Sequence, residues 1–250
     1  MKNIICIVLV GIVANAFGLA ENALPVPLSK MDEFNARTGG LVYPPADAKK
    51  FAIIDCREKD VASLSSLVRA VEMKLALDCV VTSSKLEESD DPSKVALEMK
   101  KNGMGAVVVF YERENAPSLC VFPEDAVATV NCLALQDADE VVYRRRFVKE
   151  FWRSIGFALG AYGNSTQMGS SIQPAFSMAD LDAIKGVSLS PVQINTVLGS
   201  KAKLGIYGKG AVPYTRACRE GWAPAPTNNV QRAIYNQLTD PASRFKSDFK

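Results

Sequence analysis

The side chains that most often carry catalysis are missing from this chain or widely spaced. The 250-residue sequence contains no histidine, so it can form neither a Ser-His-Asp triad nor a histidine-based zinc site. Five cysteines follow the first twenty residues, and none forms a CxxC pair: Cys56, Cys79, Cys120, Cys132 and Cys218. A four-cysteine zinc site is therefore unsupported. Pairs of carboxylates remain open, because aspartate and glutamate are plentiful and their separation depends on the fold.

The stretch most suggestive of a site is Arg153-Ser-Ile-Gly-Phe-Ala-Leu-Gly-Ala-Tyr-Gly163. It ends a segment with apolar residues at helical spacing: Phe147, Phe151, Ile155, Ala158 and Tyr162. The spacing predicts a long buried helix at about residues 140–160. Asp137 and Glu140 have the spacing of a capping box at its start. A glycine inside an exposed helix costs about 1 kcal/mol relative to alanine. Gly156 and Gly160 therefore indicate close packing or a turn out of the helix.

The order of residues in this stretch resembles the HExxHxxGxxH motif of the metzincin zinc proteases, with the metal ligands replaced. The three histidine positions of the motif fall on Arg153, Phe157 and Gly163. Its glutamate falls on Ser154, and its glycine falls on Gly160. In the family, a methionine turn follows the third histidine. The resemblance makes Met168 the candidate for that turn.

If the resemblance holds, these positions no longer bind zinc. Arg153 brings a positive charge to the place of a cation, and Phe157 and Gly163 offer no ligand atom. Ser154 cannot act as the carboxylate base that activates water. The sequence therefore predicts no catalytic residue, no bound metal and no cofactor.

The surrounding elements follow the order of a compact metzincin, most closely the archaemetzincin branch. We predict strands and helices alternating from residue 51 to residue 111, then two short strands at 119–122 and 127–135, and then the long helix. Two later helices are predicted at 177–185 and 190–198. The predicted fold is α+β: a mixed, mainly parallel sheet with helices on its faces, metzincin-like, and a long central helix.

The two ends of the chain differ from the middle. Residues 1–20 have a positive start, an apolar run and small residues at the end, as in a cleaved signal peptide. We therefore expect export, to the periplasm or the extracellular space. Residues 21–48 are predicted to be a linker or lead-in, residues 49–199 the metzincin-like domain, and residues 200–250 an irregular C-terminal extension.

Charge gives little support to a nucleic-acid partner. The formal net charge is +2, and the single basic cluster, Arg144-Arg145-Arg146, is predicted to be solvated charge on the central helix. The apolar run of the leader is short for a bilayer span, so no integral membrane segment is expected after cleavage. In an exported protein some of the cysteines could form disulfides, in pairs that the sequence does not define.

The function predicted from the sequence is an exported, catalytically inactive metzincin-like protein, that is, a pseudopeptidase. Its expected partner is a peptide or protein, bound by strand addition at an edge of the sheet. Two alternatives from other classes stay open: a hydrolase with an unrelated, non-zinc mechanism, and a structural envelope component. An open groove beside Arg153, Ser154 and Phe157 would favour binding, whereas a filled groove would favour the structural role.

Overall fold

The computed structural model describes residues 28–57, 64–162 and 170–239. In chain order the α-helices are α1 (Leu28–Thr38), α2 (Leu64–Leu75), α3 (Pro92–Lys101), α4 (Glu140–Ala158), α5 (Met178–Ala183), α6 (Pro191–Ser200), α7 (Tyr214–Glu220) and α8 (Asn229–Thr239). The strands are β1 (Leu41–Val42), β2 (Lys50–Asp55), β3 (Cys79–Ser83), β4 (Met104–Tyr111), β5 (Leu119–Phe122), β6 (Val127–Asn131) and β7 (Val212–Pro213). Short 3-10 helices cover Leu133–Leu135 and Lys201–Leu204. Within these ranges, no helix combines the length and apolar character needed to cross a membrane.

The described residues form two compact units. One, the sheet unit, lies within residues 46–209, and the other, the terminal unit, combines residues 28–45 with residues 210–239. The predicted signal peptide at residues 1–20 lies outside the described residues.

The sheet unit contains a single five-stranded sheet in the order β3-β2-β4-β6-β5. Strands β2, β3, β4 and β6 run parallel, and β5 is antiparallel to β6. The middle strand, β4, is buried from its second residue to its last, as expected for a parallel strand covered on both faces. The predicted α+β fold, with a mixed and mainly parallel sheet between helices, is confirmed.

Apolar residues pack on both faces of this sheet. Helices α2 and α4 cover one face, where Val71, Phe110, Phe147 and Phe151 belong to one buried cluster. Helix α3 covers the other face, where Ala96 packs with buried side chains from β2 and β4. The alternation of side chains along each strand divides the apolar residues between the two faces.

The predicted central helix is confirmed as α4, which runs from Glu140 to Ala158. Its cap differs from the prediction, because the side chain of Asp139, and not that of Asp137, accepts from the Val141 amide at 2.8 Å. The Asp137 carboxylate instead accepts from the Asp139 amide at 3.0 Å and shapes the turn before the helix.

The terminal unit contains regular structure that the sequence patterns did not predict. Strands β1 and β7 pair antiparallel, and the Gln231 side chain donates to the Gly39 carbonyl at 2.8 Å. Tyr214 is fully buried, and its hydroxyl donates to the Pro224 carbonyl at 2.9 Å. Residues expected to form a linker and an irregular extension therefore include α1 and α7, whereas the last helix, α8, lies where the sequence predicts one, at about residues 230–238. They pack on partners distant in sequence, which local periodicity does not reveal.

Candidate functional site

The second half of α4 carries the first positions of the degenerate motif. Arg153 and Ser154 are buried, and Phe157 is half-buried. Gly160 follows the helix with a φ of 81°. Gly163 and Met168 lie outside the described residues. Arg153 and Phe157, which the structure does describe, lie close together: the guanidinium carbon is 5.6 Å from the ring centroid.

The Arg153 guanidinium joins α4 to the segment that follows the motif. Its Nε donates to the Glu150 carboxylate at 2.9 Å. Its Nη1 donates to the carbonyl oxygens of Ser171, at 3.4 Å, and of Gln173. The Arg153 side chain is 5% exposed and the Glu150 side chain 2%. We call Glu150, Arg153 and the two carbonyl groups the Arg153 clamp.

Burial and the neighbouring guanidinium act on Glu150 in opposite directions. Burial raises the pKa of the Glu150 carboxyl above its ordinary value, and the charge and hydrogen bond of Arg153 lower it. The net pKa shift is upward, because desolvation is the larger of these effects. Without the Arg153 guanidinium, the pKa of the Glu150 carboxyl would therefore rise further.

Ser154 and Phe157 each have local partners. The Ser154 hydroxyl donates to the Phe151 carbonyl one turn earlier, at 2.9 Å. The Phe157 ring stacks on the Tyr162 ring with centroids 6.1 Å apart, and Tyr162 is 54% exposed. This end of the helix therefore presents an aromatic pair to solvent.

The residues at these positions do not fit a catalytic zinc ion. A zinc site needs nitrogen, sulfur or carboxylate ligands with an open coordination position. Arg153, which the resemblance assigns to the first ligand, is instead a buried guanidinium that already pairs with Glu150. Among the described residues, no group of three or more histidine, cysteine, aspartate or glutamate side chains could hold a metal ion.

The two helix glycines have the two roles that the sequence suggested. A Cβ atom on Gly156 would lie 2.3 Å from the Ile172 side chain and 3.0 Å from that of Leu189, so this glycine permits close packing. At Gly160 the chain leaves the helix in the left-handed region. The Gly160 amide donates to the Phe157 carbonyl, and the Ala161 amide to the Gly156 carbonyl. This is a Schellman motif.

Two further cations of α4 hold the segment that covers the helix. The Lys149 ammonium donates to the carbonyls of Leu181, at 2.7 Å, and Asp182, at 3.1 Å. Arg146 pairs with the Asp182 carboxylate at 2.6 Å, and its side chain is 11% exposed. The prediction that the whole Arg144-Arg145-Arg146 cluster is solvated is therefore wrong for Arg146. Arg146 also pairs with the nearby Asp137 carboxylate at 3.0 Å, whereas Asp182 lies 36 residues away and could not be identified from local sequence.

The described cysteines are free thiols: Cys56, Cys79, Cys120, Cys132 and Cys218. Burial raises the pKa of Cys56 to about 11 and that of Cys79 to about 12. Burial also raises the pKa values of Cys132 and Cys218. A thiol with a raised pKa is a poor nucleophile near neutral pH, because the thiolate is the reactive form. The geometry therefore gives no support to cysteine catalysis at these four positions.

Strand β5 lies at one edge of the five-stranded sheet. Within the described residues it pairs only with β6. Leu119 and Val121 are half-buried and pack against the cluster that contains the core of α4. The sequence predicted this strand, but its place at the sheet edge became clear only from the strand order.

Hydrogen bonding along β5 shows which backbone groups face outward. Leu119 lies opposite Val130, and the Asn131 amide donates to the Ser118 carbonyl at 2.9 Å. Hydrogen-bonded and non-hydrogen-bonded pairs alternate in an antiparallel ladder. Leu119 and Val121 therefore direct their amide and carbonyl groups away from β6, toward the open edge.

No protein-family model and no curated protein matches this chain. Solved structures do: an archaemetzincin from Methanopyrus kandleri is 20% identical, with a TM-score of 0.47, over 64% of this chain and 99% of that one. An archaemetzincin from Archaeoglobus fulgidus, complexed with malonate, is 17% identical, with a TM-score of 0.43, over 59% of this chain and 99% of that one. A zinc-dependent peptidase from Methanocorpusculum labreanum is also 17% identical, with a TM-score of 0.44, over 59% and 98% of the two chains. The chain is thus similar to archaemetzincin structures over 59% to 64% of its length.

Proposed function

We propose that this protein is a catalytically inactive relative of metzincin peptidases. The observation that supports the proposal is the Arg153 clamp: the residue that the metzincin resemblance assigns to a zinc ligand forms a buried ion pair and two backbone carbonyl contacts. A guanidinium held in this way repels a cation and offers it no lone pair. Ser154 donates its hydroxyl proton to a backbone carbonyl and has no carboxylate with which to activate water.

We further propose that the protein binds an extended peptide along the open edge of β5. The outward amide and carbonyl groups of Leu119 and Val121 can each bond to an added strand. The edge strand itself contains no charged residue and no proline, the features that commonly block strand addition. Its outward groups lie on a strand that packs against the core beneath α4.

Metal analysis and a peptidase assay test the proposed inactivity. We expect purified protein incubated with Zn²⁺ and then dialysed to retain far less than one zinc per chain. We also expect no cleavage of a fluorogenic peptide pool above the rate of a buffer blank. Stoichiometric zinc together with cleavage that a chelator abolishes would contradict the proposal.

A proline at Val121 tests the proposed edge site. Proline removes the outward amide and places its ring toward the added strand, and an edge position tolerates this change better than a central strand does. Against binders selected from a synthetic library of acetylated hexapeptides, we expect Val121→Pro to weaken binding by about tenfold or more, because a hydrogen bond is lost and the ring obstructs docking.

Val121→Thr is the matched control for this variant, because it changes the same side chain and keeps the amide. We expect its affinity to stay within about threefold of the wild-type value. Thermal unfolding of both variants would show whether the fold is intact. Equal binding by both folded variants would exclude strand addition at β5. The absence of any hexapeptide binder would favour the alternative role as a structural envelope component. The filled site at Arg153 also supports that role.

Export is part of the same proposal. The leader pattern of residues 1–20 supports cleavage after Gly18-Leu19-Ala20. The mature protein would then act in the periplasm or outside the cell, where extended peptides from other exported proteins are available as partners.

A further inference from the structure

The connections of β2 change direction beside this strand. The chain leaves β2 for β3 on one side and returns to β4 on the other side. The two crossover helices lie on opposite faces, with α2 in one apolar cluster and α3 in the other. Such a switch in direction leaves a crevice at the carboxyl ends of the strands, where open α/β sheets bind ligands.

A cavity of about 670 Å³ lies at this switch point. It is bounded by Cys56 after β2, by the loop after β3 and by the loop after β4. A second cavity, of about 630 Å³, shares Cys56, Leu86 and Glu87 with the first and extends along the ends of β2 and β3. Volumes of this size are typical of small-molecule sites. We call the first cavity the switch-point crevice.

The charged groups around the switch-point crevice are mostly negative. Four carboxylates line it, those of Glu87, Glu88, Glu112 and Glu114, against the single cation Arg113. The Arg113 guanidinium is already engaged: it donates to the carbonyls of Glu87 and Asp90 and lies 5.8 Å from the Tyr111 ring centroid. A concave surface lined by one sign of charge concentrates ligands of the opposite sign.

The remaining lining is mixed: Leu86, Leu133 and the Tyr111 ring offer apolar surface, and Asn115 and Cys56 complete it. This combination suits a ligand with a cationic group on an apolar chain. A bare metal ion is a poorer match, because the described residues contain no cluster of three or more metal-binding side chains. We propose that the switch-point crevice binds an organic cation, namely an ammonium or guanidinium group carried on an alkyl chain. This chemistry occurs both in free polyamines and in the lysine and arginine side chains of peptides.

Isothermal titration calorimetry of the full chain at low ionic strength tests the proposal. The probes are spermidine, for the free polyamine, and acetyl-Gly-Lys-Gly amide and acetyl-Gly-Arg-Gly amide, for the side chain of a peptide. We expect saturable binding of one molecule per chain for spermidine or for a tripeptide, and the probe that binds identifies the source of the cation. Failure of all three to bind saturably would overturn the proposal.

The double variant Glu87→Gln/Glu114→Gln should weaken binding of the organic cation by about tenfold, because each of the two substitutions removes one carboxylate from the crevice. The matched control is Glu124→Gln/Asp125→Asn, which makes the same change in net charge at the exposed turn between β5 and β6. Its affinity should stay within about twofold of wild type. Equal weakening by the two double variants would mean that cations bind carboxylates spread over the surface, and would reject the crevice. The β5 variants do not touch the crevice, so this result is independent of peptide binding.

Discussion

Replacing Arg153 by methionine is expected to lower the free energy of unfolding by about 3 to 5 kcal/mol, the usual cost of leaving one partner of a buried ion pair uncompensated. The Glu150 side chain is 2% exposed, so water cannot replace the lost guanidinium. The carbonyl groups of Ser171 and Gln173 also lose the donor that they share. Urea unfolding of the purified variant measures the effect.

Two further variants separate the ion pair from the bulk of the side chain. Arg144→Met removes an exposed pair with Glu140, whose atoms lie 2.7 Å apart, and should cost less than about 1 kcal/mol. The double variant Arg153→Met/Glu150→Met removes both buried charges, so it should recover much of the loss. If the double variant is no more stable than Arg153→Met, the cost arises from the carbonyl groups and packing, and the ion pair is not its source.

The pH dependence of Arg153→Met provides an independent check. Burial raises the pKa of Glu150 while Arg153 opposes the shift, so the folded-state pKa should rise further in the variant. A carboxyl whose folded pKa exceeds its unfolded value contributes stability below the unfolded pKa, and this stability is lost as the pH rises through the folded pKa. The variant should therefore lie closer to wild type near pH ~4 than near pH ~8. A deficit that is constant with pH would contradict a protonated Glu150.

The buried contacts at Arg153 change the meaning of the degenerate motif. From the sequence, Arg153 is a substitution that removes a zinc ligand. In the structure the same side chain binds the segment that crosses the helix, so its charge has a structural role. The site beside it is filled by the chain itself, which is why we place peptide binding at β5. Under the proposed function, the same residue would both lack a zinc ligand atom and supply a structural contact.

Local signals predicted the sheet unit well where the sequence encodes them directly. Pro92 and the Asp91 cap fix the start of α3, a helix within the alternation of strands and helices predicted for residues 51–111. The apolar run of β4 and the helical spacing in α4 likewise identify those elements from the sequence pattern alone. Such features depend on residues within a few positions of one another.

The interactions that complete the site depend on distant backbone groups and were not predictable. The Arg153 clamp uses the carbonyls of Ser171 and Gln173, and every residue type has a carbonyl. The same applies to Lys149, whose partners are backbone oxygens at the end of α5. A sequence pattern cannot show which carbonyl a buried cation will meet, because that contact follows from tertiary packing. The position of β5 at the edge of the sheet also follows from tertiary packing, so no local pattern predicts it.

Lys201 provides the second large expected effect. The residue is fully buried, and its ammonium group donates to the carbonyls of Leu75, at 3.2 Å, and Ala76, at 2.8 Å. These carbonyls end α2, where a helix leaves acceptors without partners and carries a partial negative charge. Lys201→Met would keep most of the volume and remove the donor. We expect a loss of about 2 to 4 kcal/mol in the free energy of unfolding, because hydrogen bonds from a charged group are worth more than neutral ones.

The neighbouring Lys203 is exposed and serves as the control with the same chemical change. Lys203→Met should change the unfolding free energy by no more than about 0.5 kcal/mol, as expected for a surface substitution. Urea unfolding of both variants decides the matter. If Lys201→Met is as stable as Lys203→Met, the carbonyls of Leu75 and Ala76 have adequate alternative donors and Lys201 does not cap α2. If only Lys201→Met is destabilised, the buried Lys201 ammonium at the end of α2 stabilises the packing of this helix on the sheet. The Arg153 clamp stabilises the segment over α4 in the same way.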